Sequence, residues 1–280
     1  PRRRSDESHR VLSDAPMKLG WIQDPETDLI GGAELICNEL IAAAPAWADI
    51  RYGLDDSADA YIVHNCTRYN STLIDQFRGK PVVKIVYETW PHGDDNLRDW
   101  LLTNSRLLIF LSQPHIDWFP WSFSAPYTIC PSTVNLSPFR EAAKTNNRVD
   151  RTLWLGALFE WKGVREACQW AVDHGPVDFY GGGPMVPAGP NVEYHGQIAH
   201  ELVPALMGSY ERFLHIPIAP DVNPRTVLEA WAAGCSLIVN SNVGAVWWIQ
   251  HHPERADKGL TEIWDAIDTA LHKVDSYKDL

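Results

Sequence analysis

Short apolar runs bounded by turn residues alternate with longer helical patterns along most of this chain. In the first half, the apolar runs fall at residues 18–24, 58–65, 81–87 and 106–112, with helical patterns before the second and fourth runs. Strands that alternate with helices are joined by crossover connections, which is typical of parallel sheets covered by helices. A second series of the same kind follows residue 150. The pattern therefore predicts an α/β protein with two Rossmann-like, doubly wound domains.

The same pattern predicts where the domains divide. Residues 1–16 are polar and lack an apolar core, so we expect a disordered leader there. Residues 17–135 would form the N-terminal domain and residues 151–280 the C-terminal domain. Residues 136–150 carry proline, asparagine and charge with little apolar periodicity, which is typical of a linker. Ligands bind beyond the carboxyl ends of the strands in such sheets, so a ligand cleft is expected between the domains.

Composition excludes several classes of protein. The net charge is −12 over 280 residues, which disfavours general binding to nucleic acid. No apolar run approaches the roughly 20 residues that a transmembrane helix needs. The 5 cysteines are odd in number and no two form a Cys-x-x-Cys pair, so neither a disulfide framework nor a zinc knuckle is indicated. We therefore expect reduced thiols, a cytoplasmic protein and no transmembrane segment.

The stretch from 221 to 245 holds the residues that most strongly suggest chemistry. Proline is suited to the start of a helix because its missing N–H is no loss there, so Pro224 predicts a helix N-terminus at Asn223 to Thr226. Free N–H groups and the helix dipole at such a terminus favour an anion, and phosphate is the natural ligand. Asp221 and Glu229 would flank the bound group. Taken alone, such a pair is more often a helix cap and a solvated glutamate.

These two carboxylates also fit a family pattern. The segment resembles the signature of retaining glycosyltransferases of family 4, in which two glutamates separated by seven residues are followed by Ala-x-Ala-x-Gly. Asp221 stands at the first glutamate and Glu229 at the second, ahead of Ala230 and Gly234. The resemblance implies that Asp221 contacts hydroxyls of a donor sugar and that Glu229 holds the ribose of a nucleotide.

Glycine-containing segments elsewhere follow the order of the same family. Gly31 and Gly32 resemble the diglycine turn that lets the backbone approach the donor phosphates and sugar, for which glycine is suited. Gly182, in the triglycine after a predicted strand, would line the nucleoside side of the cleft. Each of these motifs alone is also typical of an ordinary loop or a flexible helix start.

This sequence keeps only one of the two basic residues that resemble the family's diphosphate-binding cations. Gly156, Lys162 and Gly163 resemble the family's Gly-Arg-loop-Lys-Gly element, but Ala157 stands at the arginine. The resemblance implies that Lys162 neutralises the leaving diphosphate. Arg225 lies at the start of the predicted helix, and our hypothesis is that it replaces the missing arginine.

The N-terminal domain departs further from the family. Tyr87 stands where many members have a histidine just after a strand, and His64 is a second polar residue at a strand end. Either could face the acceptor, although a structural role is favoured for His64. No Asp-x-Asp pair occurs, so the resemblance implies chemistry without a metal or another cofactor.

Together these features predict a GT-B fold, with two domains facing each other across a cleft. The predicted reaction moves a sugar, with retention of configuration, from a nucleotide-sugar donor such as a UDP- or GDP-sugar to a hydroxyl of a glycan or small-molecule acceptor. One alternative is a non-catalytic protein that binds nucleotide sugars or glycans. Another is a viral-type enzyme that glycosylates hydroxymethylated bases in DNA, which the net charge of −12 disfavours.

Overall fold

The first sheet contains six parallel strands in the order β2-β1-β3-β4-β5-β6. The computed structural model describes residues 15–24, 32–64, 66–87, 89, 93–144 and 147–272, so most of the expected leader lies outside the described residues. The strands are β1 (Met17–Ile22), β2 (Ala48–Tyr52), β3 (Ala60–Val63), β4 (Val82–Ile85), β5 (Leu107–Phe110) and β6 (Tyr127–Ile129). The helices of this part are α1 (Gly32–Ala42), α2 (Leu73–Phe77), α3 (Asp95–Asn104) and α4 (Gln113–Trp118).

The second sheet contains five parallel strands in the order β11-β10-β7-β8-β9. Its strands are β7 (Val149–Leu155), β8 (Val177–Tyr180), β9 (Val192–Tyr194), β10 (Tyr210–His215) and β11 (Ser236–Val239). The remaining helices are α5 (Ser137–Ala142), α6 (Val164–His174), α7 (Val203–Gly208), α8 (Arg225–Ala232), α9 (Ala245–His251) and α10 (Gly259–His272).

Burial explains why the central strands read as apolar runs. Every residue of β3, β4 and β5 is buried, because helices cover both faces of a parallel sheet.

The helix starts are also encoded locally. The Asp94 carboxylate accepts hydrogen bonds from the backbone N–H groups of Asn96 and Leu97, which caps α3. The predicted class of fold, two parallel α/β domains, is confirmed.

Two segments pack differently from the expected division of the chain. The apolar face of α10, including Ile263 and Ile267, belongs to the core of the first sheet, and the indole N–H of Trp264 donates to the carbonyl of Leu40 at 3.0 Å. The last helix of the expected C-terminal domain therefore returns to the first domain. The expected linker contains α5, whose Phe139 is buried in the core of the second sheet.

The two domains are joined by buried polar contacts. The indole N–H of Trp248 donates to the carbonyl of Leu111 at 2.7 Å, and the Ser112 hydroxyl donates to the carbonyl of Val222 at 2.8 Å. A Cβ atom at Gly244 would lie 2.0 Å from the same Val222 oxygen and 2.7 Å from Oγ of Ser112, so the approach of Ser112 to the second domain depends on that glycine. Within the described residues, no helix is long and apolar enough to cross a membrane.

Candidate functional site

Loops at the carboxyl ends of β7, β10 and β11 meet beside the start of α8. The backbone N–H of Ile218, after β10, donates to the carbonyl of Trp161 at 3.0 Å. Gly163 has a φ of +78°, and a Cβ atom there would lie 2.1 Å from the carbonyl oxygen of Ile216. Only glycine allows this approach. From β11, Asn242 accepts a backbone hydrogen bond from Asp221 at 2.8 Å.

This packing brings Lys162 onto Asp221, although 59 positions separate them in the chain. The Lys162 ammonium lies 2.5 Å from Oδ2 of Asp221, and the same oxygen lies 2.8 Å from Nε2 of His215. Lys162 also lies over the ring of Trp161, 4.2 Å from its centroid. Two of the predicted site residues are therefore in direct contact, and His215 joins them.

The charges of this cluster follow from its burial. Burial opposes ionisation of Asp221, but the Lys162 ammonium and the hydrogen bond from His215 outweigh it and hold the pKa of Asp221 well below its usual range. Burial lowers the pKa of His215 despite the attraction of Asp221. A neutral His215 therefore donates Nε2–H to the carboxylate, which leaves Nδ1 as an acceptor. That Nδ1 is buried and has no hydrogen-bond partner among the described residues.

The predicted helix start is present as α8, with Pro224 as its N-cap and Arg225 as its first residue. Asn223 is only 5% exposed. Neither Oδ1 nor Nδ2 of its side chain has a hydrogen-bond partner among the described residues. Thr226 is partly buried on the first turn. The segment thus carries unused hydrogen-bonding capacity beside an N-terminus that favours anions.

Arg225 does not lie free at the helix start. Its Nη2 donates to Oε1 of Glu39, on α1 of the first domain, at 2.8 Å, and its Nε lies 3.8 Å from Oε1 of Glu229. Burial raises the pKa of Glu229 to about 7, a rise that the Arg225 charge opposes and the Glu39 charge increases. Arg225 and Glu229 are therefore neighbours, as their spacing of four residues predicts for a helix.

The glycine motifs divide into three cases. Gly31 lies outside the described residues. Gly32 begins α1, and a Cβ atom there would have no heavy atom within 4 Å, so its backbone is open to close approach. A Cβ atom at Gly182 would lie 2.0 Å from Nε2 of Gln197, and the Gly182 carbonyl accepts a hydrogen bond from the Leu158 N–H at 2.8 Å. Gly182 therefore packs against the end of the Gln197 side chain, which a larger residue would have to displace.

Tyr87 points toward the interior of the first domain. Its hydroxyl lies 2.8 Å from Nε2 of His64, which is 1% exposed, and the His64 ring stacks against Trp21. Lys84, on β4, donates to the carbonyl of His64 at 2.9 Å. The observed contacts fit the structural role favoured for His64, and they hold Tyr87 beside it.

Three polar residues near these positions were not expected from the sequence: His215 and Lys84, which the fold buries, and Glu39, which is half-buried. His215 could have been found, because it is a polar residue at the end of β10, six positions before Asp221. No sequence feature marks Glu39 as a site residue, because a glutamate on an amphipathic helix is normally solvated. Lys84 interrupts an apolar strand, which is the pattern of a buried polar residue with a partner.

One group of side chains in the described part of the chain has the composition of a metal site. Potential ligand atoms of Asp178, Glu193 and His195 lie within 4.8 Å of one another. The guanidinium of Arg151 already pairs with Asp178, whose Oδ2 also accepts from the Tyr210 hydroxyl at 2.8 Å. Asp178 thus has its charge balanced by protein groups.

The two parallel sheets, with the loops of the second meeting at the domain junction, define a GT-B fold. The chain is similar to HepE from Anabaena, solved in complex with UDP and glucose, with a TM-score of 0.62 and 14% identity over 91% of this chain and 92% of that one. It is also similar to sucrose-phosphate synthase from Thermosynechococcus elongatus, with a TM-score of 0.64 and 13% identity over 91% of both chains.

A third similar structure is AviGT4, a glycosyltransferase involved in avilamycin A biosynthesis, with a TM-score of 0.54 and 14% identity over 91% of this chain and 93% of that one. No family model and no curated protein sequence matches the chain. At these identities the likeness establishes the fold.

Proposed function

We propose that this protein is a glycosyltransferase that moves a sugar from a nucleotide-sugar donor to an acceptor hydroxyl. The observation that carries the proposal is the contact of Lys162 and Asp221 beside the start of α8, on a GT-B fold. A cation, a carboxylate and a helix N-terminus together suit the diphosphate and hydroxyl groups of such a donor. HepE, solved with UDP and glucose, and the glycosyltransferase AviGT4 share the fold.

In the proposed complex, the diphosphate lies at the N-terminus of α8 and meets the Lys162 ammonium. Asp221 accepts hydrogen bonds from hydroxyls of the donor sugar, and Glu229 accepts them from the ribose. Because Asp221 already neutralises Lys162 in this structure, the ammonium must be shared between the carboxylate and the diphosphate. Asp221 therefore both orients Lys162 and moderates its charge.

The finer proposal is a family 4 enzyme that retains configuration and needs no metal. The bond from the anomeric carbon to the diphosphate oxygen breaks, and the acceptor oxygen bonds to that carbon from the same face. The acceptor's proton passes to the departing phosphate oxygen, so no enzyme nucleophile takes part. The protein's contribution is electrostatic stabilisation of the leaving group, which gains charge in the transition state.

A diphosphate leaving group carries about two negative charges, which Lys162 and a helix dipole of about half a charge do not balance. Arg225 is the proposed second cation, because it lies on the first turn of α8. The acceptor, a glycan or small molecule, is proposed to bind on the first domain near Tyr87. The 5 cysteines are free thiols, which suits the proposed cytoplasmic location.

A screen of UDP- and GDP-sugars by thermal shift tests donor binding, since a ligand at a hundred times its Kd should stabilise by about 2.7 kcal/mol. Release of nucleoside diphosphate on adding acceptors then tests transfer, with EDTA present to test metal independence. NMR of the product's anomeric proton tests retention. Binding without transfer to any acceptor would support the non-catalytic alternative, and transfer to hydroxymethylated DNA would support the viral-type one.

A further inference from the structure

One ion pair, between the buried Arg225 and the half-buried Glu39, connects the two domains at the candidate site. Arg225 is 8% exposed, and its Nη2 donates to Oε1 of Glu39 at 2.8 Å across 186 positions of the chain. The second carboxylate oxygen of Glu39 accepts a hydrogen bond from the hydroxyl of Thr133, itself 1% exposed. Both oxygens of Glu39 are thus engaged, so the carboxylate holds the guanidinium in one orientation.

The same guanidinium is incompletely used. Nε and Nη1 of Arg225 are buried and have no hydrogen-bond partner among the described residues, and Oε1 of Glu229 lies 3.8 Å from Nε, beyond hydrogen-bond distance. Both amide atoms of Asn223, two positions earlier, are also buried and lack partners in the described part of the chain. Buried polar groups are normally satisfied, so this concentration of unused donors and acceptors points to a ligand.

The chemistry of the unused atoms defines that ligand. The two guanidinium nitrogens only donate, so they fit anionic oxygens, while the Asn223 amide both donates and accepts, so it fits a hydroxyl. A glycosyl diphosphate presents anionic oxygens next to sugar hydroxyls. The second domain therefore offers complementary groups to the part of a donor where the sugar meets the diphosphate.

We propose that Glu39 is a positioning residue: from the first domain, it holds Arg225 so that Nε and Nη1 take the diphosphate oxygens of a nucleotide sugar while Asn223 takes a sugar hydroxyl. This inference rests on the proposed function. Because Glu39 lies on α1 and contacts Thr133, it also connects the donor site to the domain proposed to bind the acceptor. Glu39 need not touch the donor, because it acts through Arg225.

Whether Glu39→Gln weakens or strengthens binding of a nucleotide sugar distinguishes a positioning role for Glu39 from a purely electrostatic effect of its charge. Glu39→Gln removes a negative charge near an anion site, which by itself would strengthen binding of a nucleotide sugar. If Glu39 positions Arg225, the substitution instead weakens binding, because a neutral amide holds a guanidinium less firmly. Glu39→Asp keeps the charge and should restore part of the lost affinity.

Isothermal titration with UDP-glucose, GDP-mannose, UDP and GDP provides the test. For the nucleotide sugar that wild type binds, we expect Glu39→Gln to raise Kd about five- to twentyfold, with Arg225→Ala at least as severe and the double variant no worse than Arg225→Ala. Asn223→Ala should weaken the nucleotide sugar more than the matching diphosphate. Glu201→Gln, at an exposed glutamate, is the charge control.

The outcomes are distinguishable. Equal or tighter binding by Glu39→Gln, with wild type binding a nucleotide sugar, would overturn the positioning role and leave the proposed function standing. An equal loss of nucleotide sugar and diphosphate in Asn223→Ala would overturn the hydroxyl assignment. If wild type binds none of the four probes, the inference fails together with the donor site. Melting temperatures near that of wild type for Glu39→Gln and Glu39→Asp show that the affinities refer to folded protein.

Discussion

Glu229 is expected to destabilise the folded protein at neutral and alkaline pH, and Glu229→Gln tests this directly. Burial raises the pKa of this carboxyl from the usual 4.5 to about 7. The folded protein thus holds the proton more tightly than the unfolded chain does. Between pH 4.5 and 7 the folded state binds more protons, so the free energy of unfolding falls as pH rises through this window. Glutamine has nearly the same shape and carries no charge, so it removes this loss.

The magnitude follows from the size of the pKa shift. Each unit of difference between the folded and unfolded pKa corresponds to about 1.4 kcal/mol, so a rise from 4.5 to about 7 costs about 3 kcal/mol once the group is ionised in both states. At pH 5 most of the folded molecules still carry the proton and the cost is small. The stability of Glu229→Gln relative to wild type should therefore increase by about 2 to 3 kcal/mol from pH 5 to pH 8.

Urea denaturation of both proteins at several pH values measures this difference, and other titrating groups largely cancel in the comparison. Glu201→Gln, at an exposed position, is the matched control and should show no comparable pH dependence. A difference between Glu229→Gln and wild type that stays constant from pH 5 to pH 8 would refute the reasoning, because it would mean that Glu229 ionises alike in the folded and unfolded chain.

The same substitution should weaken donor binding. If Glu229 accepts hydrogen bonds from the ribose, glutamine loses a charge-assisted interaction and nucleotide-sugar affinity should fall by about 1.5 to 3 kcal/mol. Titration calorimetry at pH 8, where the carboxylate is ionised, measures the loss. A variant that is more stable yet binds less donor is the combined signature of a buried carboxylate kept for function. Unchanged donor affinity would remove Glu229 from the ribose.

Three further predictions concern other parts of the molecule. Lys162→Ala should lower kcat more than it raises the donor KM, because the leaving diphosphate gains charge in the transition state; steady-state kinetics measures both, and normal kcat would exclude the role. Gly163→Ala should lower the free energy of unfolding by about 1 to 3 kcal/mol, because φ is +78° and the new Cβ would lie 2.1 Å from the Ile216 oxygen. Trp248→Phe should cost about 1 to 3 kcal/mol in urea denaturation, because it removes the donor to the Leu111 carbonyl at the domain junction; an unchanged midpoint would contradict this.

Local patterns in the sequence determined the architecture and part of the candidate site. Alternating apolar and helical segments predicted two parallel sheets, because strands buried on both faces must be apolar throughout, as β3, β4 and β5 are. Pro224 placed a helix start within one residue of the observed one. Lys162 and Asp221 lie in loops that follow strand ends, so their contact followed from the rule that loops at the carboxyl ends of parallel strands meet.

Only the tertiary structure decided what these residues touch. That Asp221 shares one oxygen between Lys162 and His215, and that Arg225 pairs with Glu39 from the other domain, depends on how separate loops and helices pack. The return of α10 to the first sheet likewise follows from which apolar face it covers, which a periodic pattern does not specify. The periodicity of apolar residues in the sequence predicts whether a side chain is buried. Its partner is fixed by contacts between segments up to 224 positions apart, such as that of α10 with α1, where local propensity carries no information.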